Sequence, residues 1–99
     1  MSALVAEALG TFLFLLIILC VLFRKDPIPS HAVPIVIGVG LLVSIVVASG
    51  LNGSGHLNPV VSMVMGLNGQ ISSQSAIEHI AAQVVGAALA LAVHQNLVV

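Results

Sequence analysis

Apolar side chains occur along this chain in three long runs, separated by short polar segments. The runs cover about residues 3–23, 32–50 and 75–97. A helix needs about 20 mostly apolar residues to cross a bilayer, so each run has the length of one membrane span. The pattern therefore predicts three transmembrane helices, joined by a polar connector at 24–30 and by a longer segment at 52–73.

The segment between the second and third spans has a polar part and an apolar part. It begins Asn-Gly-Ser-Gly-His-Leu-Asn-Pro, a run of turn formers, and Pro59 suits the first position of a helix capped by Asn58. The apolar run that follows ends at Leu67 and corresponds to about 13 Å of helix, roughly half a bilayer. Irregular backbone at membrane depth survives only where it lines a cavity. Residues 52–67 are therefore predicted to form a re-entrant loop and a half-helix.

Composition supports a membrane protein and excludes several other classes. The chain is 60% hydrophobic and 5% charged, whereas soluble domains are about 45–50% apolar and about 25% charged. Two basic residues and a net charge of −1 leave no electrostatic surface for nucleic acid. The single cysteine, Cys20, excludes a disulfide framework, and no pattern points to an enzyme, a cofactor or a metal. The sequence predicts an all-α integral membrane protein surrounded by lipid, in the plasma membrane or cell inner membrane.

A few polar side chains lie inside or beside the predicted spans. Glu7 lies in the first span, where a carboxyl group is costly and marks a functional site; the alternative is a helix-start glutamate at the membrane surface. Gln83 is expected to be a buried hydrogen-bonding residue of the third span. Glu78 and His79 are expected at the surface, in the first turns of that span. Asn58 would lie at a helix N-terminus, where the dipole contributes about half a positive charge. It would offer hydrogen bonds to water or hydroxyl groups and repel cations.

Three segments resemble the major intrinsic protein family, which contains the aquaporins and glycerol facilitators. Residues 53–61 read Gly-Ser-Gly-His-Leu-Asn-Pro-Val-Val and are similar to the family loop Ser-Gly-x-His-x-Asn-Pro-Ala-Val. Ala-Glu-x-x-Gly-Thr-Phe at 6–12 resembles the family's first helix, and Ala-Gln-x-x-Gly-Ala at 82–87 resembles its third. The resemblance covers nearly the whole chain but only the N-terminal half of a normal member. It implies that residues 1–99 form a single aquaporin-like half-channel repeat, one half of an inverted-repeat fold.

The resemblance also implies a function and roles for individual residues. The implied function is passive passage of water and small neutral solutes such as glycerol. Asn58 would donate its amide to solute oxygens at the pore centre, carbonyl groups of residues 54–57 would accept hydrogen bonds, and Glu7 and Gln83 would brace the loop. The residues expected to line the pore are Gly38, Ser54, Gly55, His56, Leu57, Asn58, Pro59 and Val61.

Several positions depart from the family pattern. The aromatic or similar residue that narrows the family's pore corresponds to Gly38, and the family's constriction arginine corresponds to Val61 in this half. Ser54 stands where the family loop has glycine, and Val60 replaces the usual alanine. A pore built from this sequence alone would have a wide, uncharged constriction. Glycerol, urea and dissolved gases are therefore as consistent with it as water.

One half of an inverted repeat needs a complement, because the two halves are related by a pseudo-two-fold axis in the membrane plane. The complement is either a second half or an antiparallel copy of this chain, which makes a homo-oligomer. Arg24 and Lys25 place the first connector in the cytoplasm by the positive-inside rule, opposite to the family's arrangement. Two alternatives remain open: a small membrane interaction or holin-like protein without a selective pore, and a proton-coupled exporter that uses Glu7.

Overall fold

The computed structural model describes residues 1–97, which fold into four α-helices connected by turns and loops. The helices are α1 (Ala3–Leu22), α2 (Val33–Gly50), α3 (Pro59–Leu67) and α4 (Ser73–His94). Helices α1, α2 and α4 are long and apolar enough to cross a membrane, whereas the nine residues of α3 reach only about half the distance. This arrangement confirms the predicted all-α class with three spans and one half-helix.

Local capping explains where the helices begin and end. The side chain of Ser72 accepts a hydrogen bond from the Ser75 backbone N–H at 3.0 Å, so α4 starts at Ser73, two residues before the predicted start. It ends at His94, three residues before the predicted end at 97, where the side chain of Asn96 donates to the Ala92 carbonyl at 2.8 Å. Helix α1 ends at Leu22, one residue before the predicted end at 23. Helix α2 begins at Val33, one residue after the predicted start at 32.

Helix α1 is the central element, because it packs on both α2 and α4, while α3 packs on α4. Glycines allow the close approaches. A Cβ atom on Gly86 of α4 would overlap the Ala8 carbonyl oxygen of α1. A Cβ atom on Gly10 would lie 2.7 Å from the side chains of both Ala48 and Leu57. Small residues that let helix backbones approach are the usual basis of helix packing in membranes.

The distribution of side chains is the reverse of that in a soluble protein. The interior holds small or polar side chains, while many large apolar side chains of the spans face outward; Ile35 and Leu42 are 65% and 61% exposed. Lipid or another apolar protein must cover this surface. The fully buried residues include Ala6, Ala48, Ala90, Glu7, Ser44 and Ser62.

Candidate functional site

The re-entrant loop leaves α2 and reaches α3 through an irregular backbone. The Gly53 N–H donates to the Ala48 carbonyl at 2.7 Å, which starts the turn. Asn52, Gly55 and Leu57 have φ values of 71°, 75° and 54°, all in the left-handed region. For a leucine this conformation costs about 1–3 kcal/mol and persists only where the surroundings fix it. The Leu57 side chain is buried against Gly10, so both the side chain and the backbone of this residue are constrained.

Glu7 supplies the constraint on the backbone. Its carboxylate is fully buried, so Glu7 is not the exposed helix-start glutamate that the sequence left as an alternative. One oxygen, Oε2, accepts the Gly55 N–H at 3.0 Å. The other, Oε1, accepts the Leu57 N–H at 2.5 Å and the Gln83 side-chain amide at 3.2 Å. Three donors offset the cost of a carboxylate in the apolar interior. Because these bonds occupy both oxygens, the geometry does not favour the exporter hypothesis.

These hydrogen bonds also orient two carbonyl groups of the loop. The described residues contain no cis peptide bond, and in a trans peptide the N–H and the preceding C=O point in opposite directions. The Gly55 and Leu57 N–H groups point at Glu7. The carbonyl groups of Ser54 and His56 therefore point away from Glu7.

A second set of hydrogen bonds joins α4 and α3 to the loop. The Gln83 amide donates to Ser62 Oγ at 2.8 Å, and Ser62 Oγ lies 2.9 Å from His56 Nδ1. The Ser62 hydroxyl accepts from Gln83 and also contacts the His56 ring, so it connects α4 to the loop. Within residues 1–97 the Gln83 Oε1 atom is buried without a hydrogen-bond partner.

The expected surface position of His79 is wrong. This side chain is only 5% exposed; its Nδ1 donates to the Ser75 carbonyl at 2.7 Å, and its Nε2 lies 2.7 Å from Ser54 Oγ. Its ring lies 5.1 Å from that of His56. The signal was present in the spacing, because residues four apart share a helix face, and His79 precedes the inward-facing Gln83 by four. Glu78 is exposed, as predicted.

Asn58 caps α3 and presents one end of its amide. Its Oδ1 accepts the Val60 N–H at 2.8 Å. The Nδ2 group makes no hydrogen bond among the residues that the structure describes, and the residue is exposed at the edge of two clefts. Asn58 therefore offers two N–H donors at the positive end of the α3 dipole.

Two clefts border the segment that joins the loop to α3, and Leu57 and Asn58 line both of them. The loop cleft, about 410 Å³, is bounded by α1, α2, the loop and the start of α3. The α1–α4 cleft, about 320 Å³, includes Thr11, Pro59 and Gln83, and Asn58 and Phe14 border both clefts. The residues that line the loop cleft are Phe14, Leu41, Ile45, Gly55, His56, Leu57, Asn58 and Val61.

The sequence-predicted pore residues are distributed unevenly over these clefts. Five of them, at positions 55–58 and 61, meet in the loop cleft. Pro59 lines the α1–α4 cleft instead, and neither Ser54 nor Gly38 lines either one. Gly38 is exposed, with no atom within 4 Å of where its Cβ would be. It precedes Leu41 by three residues and so lies on the same face of α2, one turn from the cleft.

Sequence reasoning missed the apolar wall of the loop cleft. Phe14 comes from α1, and Leu41 and Ile45 come from α2. In a chain so rich in apolar residues, the sequence does not distinguish a leucine that faces the cleft from one that faces lipid. Spacing from Gly38 at three and seven residues was the available signal. The residues that the structure describes contain no group of three or more histidine, cysteine or acidic side chains that could hold a metal ion.

Three apolar spans and a re-entrant half-helix, with a capping asparagine at a cleft, define an integral membrane protein built like one half of a channel. The family model described as Major intrinsic protein matches residues 1–99, and the chain belongs to the major intrinsic protein family. It is 36% identical over 95 residues to "Glycerol uptake facilitator protein-like 6" of Lactiplantibacillus plantarum. The match covers 94% of this chain and 42% of that protein, so the chain spans less than half the length of this relative. No solved structure matches the chain.

Proposed function

We propose that residues 1–99 form a single half-channel repeat that contributes one half of a passive pore for water and small neutral solutes. The observation that carries this proposal is the hydrogen bonding of Asn58. Its acceptor oxygen is occupied by the Val60 N–H, and its donors are open at the loop cleft. Membership of a channel family and the name of the glycerol facilitator-like relative support the same conclusion. The plasma membrane or cell inner membrane is the proposed location.

In this mechanism the solute exchanges hydrogen bonds with water for hydrogen bonds with the chain. Asn58 donates to an oxygen atom of the solute, while the carbonyl groups that Glu7 turns outward, those of Ser54 and His56, accept from its hydroxyl or water protons. Gly55 and Leu57 supply further carbonyl groups. A neutral solute with both donors and acceptors is served by such a set, whereas a cation meets the positive end of the α3 dipole.

The wall formed by Phe14, Leu41 and Ile45 explains which solutes are proposed. It offers no hydrogen bonds, and it suits the carbon face of a small polyol while the opposite side of the cleft supplies the polar groups. Gly38 adds no side chain one turn away, and Val61 carries no charge. The proposed constriction is therefore wide and uncharged, which suits glycerol or urea as well as water.

The proposed pore requires a complement. Outward-facing apolar residues of α3 lie next to the asparagine cap; Val60 is 62% exposed, and Val64 and Met63 are also exposed. A second half-helix packed there would cover this surface and close the pathway. The complement is either a second half or an antiparallel copy of this chain, as expected for an inverted repeat.

Replacing Asn58 tests the channel directly. We expect proteoliposomes that contain the wild-type chain to swell faster than protein-free liposomes in a glycerol gradient. We expect Asn58→Leu to lower this glycerol flux at least about tenfold, because the solute loses its central hydrogen-bond donor. Asn58→Asp retains an oxygen for the Val60 N–H but lacks the N–H donors, so we expect the same loss with the helix cap intact. Stopped-flow light scattering measures the flux.

Asn68→Leu is the matched control, because Asn68 lies at the opposite end of α3 and should leave the flux unchanged. Background swelling by the wild type and both Asn58 variants, in membranes that hold the chain in both orientations, would refute a pore formed by copies of this chain. It would favour the interaction or holin-like alternative.

The nature of the complement is tested by mapping membrane orientation. An antiparallel pair needs both orientations in similar amounts, and Arg24 and Lys25 are the only basic side chains that bias them. For such a pair we expect tags on each terminus to be accessible from both sides of the membrane in intact cells. A single orientation would exclude the antiparallel pair and leave a separate second half.

A further inference from the structure

Ser54 lies near the start of the polar part of the loop, where the backbone has few steric restrictions. Glycines flank it on both sides, and Gly55 has a φ of 75°. Glycine restricts neighbouring peptides less than any other residue, and Ser54 itself is exposed. Contacts, rather than local sterics, must therefore decide where the Ser54 carbonyl points.

Two contacts restrain this residue. On the backbone side, the Gly55 N–H donates to Glu7 Oε2 at 3.0 Å. On the side-chain side, Ser54 Oγ lies 2.7 Å from His79 Nε2. With Nδ1 donating to the Ser75 carbonyl of α4 at 2.7 Å, the neutral His79 ring has its lone pair on Nε2, and the Ser54 hydroxyl donates to it.

We propose that His79 is a positioning residue for the pore: it fixes the Ser54 hydroxyl to α4, and thereby holds the carbonyl of the Ser54–Gly55 peptide beside the part of the loop cleft that Gly55 lines. This rests on the proposed channel function. Without His79 the segment is held only through its backbone, by the Gly53 N–H on the Ala48 carbonyl and the Gly55 N–H on Glu7. The His79 contact adds a fixed point on the Ser54 side chain. A solute that makes several hydrogen bonds at once depends on the spacing of these groups more than water does. His79 therefore sets the permeability for glycerol relative to water.

The two ring nitrogens of His79 can be tested separately. In His79→Asn the amide group replaces Nδ1 and keeps the contact with Ser75, but it is too short to reach Ser54. In His79→Gln the amide group reaches the position of Nε2 and keeps the contact with Ser54. Ser54→Ala removes the same contact from the loop side. The matched control is His94→Asn, the same substitution at the far end of α4.

The measurement is the ratio of glycerol to water permeability in proteoliposomes. We expect His79→Asn and Ser54→Ala to lower this ratio about three- to tenfold, the effect of one net hydrogen bond. We expect His79→Gln and His94→Asn to stay near the wild-type ratio. The double variant Ser54→Ala/His79→Asn should shift the ratio no further than either single change, because both remove one shared contact.

A merely structural role predicts a different result. Fewer folded channels lower both permeabilities in proportion and leave the ratio unchanged; that outcome for His79→Asn would overturn the positioning role while leaving the channel function intact. A ratio that falls equally in His79→Gln and His79→Asn would also overturn it. Wild-type permeabilities at the lipid background for both solutes, with the chain present in both orientations, would instead remove a channel formed by copies of this chain, and the positioning role with it.

Discussion

Glu7→Gln is expected to abolish nearly all solute flux while the three spans remain helical. The carboxylate accepts three N–H donors, from Gly55, Leu57 and Gln83. A glutamine side chain has one acceptor oxygen, and its NH₂ group must face at least one of those donors. An unsatisfied buried donor costs about 1–3 kcal/mol, and bonds to a charged acceptor are worth about 1.5–3 kcal/mol. The Ser54 and His56 carbonyl groups then lose their orientation, and we expect flux to fall by at least about tenfold.

Three measurements separate this effect from unfolding. Proteoliposome swelling reports the flux, circular dichroism reports the helices, and amide hydrogen exchange at residues 53–58 reports the loop. Glu78→Gln is the control, because Glu78 is an exposed glutamate on α4 and should change none of them. Wild-type swelling by Glu7→Gln, with unchanged exchange at Gly55 and Leu57, would show that the carboxylate does not hold the loop.

Gly86→Ala is expected to destabilise the fold more than any other single methyl addition to a helix. The new Cβ would overlap the Ala8 carbonyl oxygen and lie 3.1 Å from the Phe12 backbone nitrogen. These neighbours are backbone atoms of α1, so relief requires the two helices to separate. Overpacking costs about 1–3 kcal/mol where side chains can adjust, and we expect at least that loss here. Unfolding of the detergent-solubilised chain by sodium dodecyl sulfate measures it.

Gly38→Ala provides the same chemical change at an open position, since no atom lies within 4 Å of a Cβ there. We expect its unfolding midpoint to equal that of the wild type or to exceed it, because alanine has the higher helix propensity. Equal midpoints for Gly86→Ala and Gly38→Ala would show that α1 and α4 do not approach as closely as the structure places them.

The fold was largely predictable because the bilayer imposes a simple length requirement on an apolar helix. Runs of about 20 apolar residues gave the three spans, and the proline after Asn58 gave the start of α3. The residues at which the helices begin and end were harder to predict. They depend on single side-chain hydrogen bonds, such as that of Ser72, which begins α4 two residues earlier than the apolar run indicates.

The site was predictable only in part, because its contacts join residues far apart in sequence. Glu7 is separated in sequence by 48 residues from Gly55, by 50 from Leu57 and by 76 from Gln83, its three hydrogen-bond donors. The resemblance to a family suggested these partners, whereas spacing alone did not. His79 and Ser62 were missed because their burial depends on where α3 packs against α4. For His79 the available signal was its spacing of four residues from Gln83, which places both side chains on one face of α4 but does not indicate that α3 covers that face.

The large sequence separation between Glu7 and its hydrogen-bond partners also limits the order in which these contacts can form. Along the chain α1 precedes the other three helices, so Glu7 is synthesised before its hydrogen-bond partners. The loop follows about 50 residues later, and Gln83 and His79 arrive with α4. Until then the Ser54 hydroxyl lacks its contact with His79, and no Gln83 amide connects Ser62 to the carboxylate. The nine residues of α3 cannot span the bilayer alone. We therefore expect the half-helix to enter the membrane only after both flanking spans are in place, with the hydrogen bonds from Gln83 and His79 forming last.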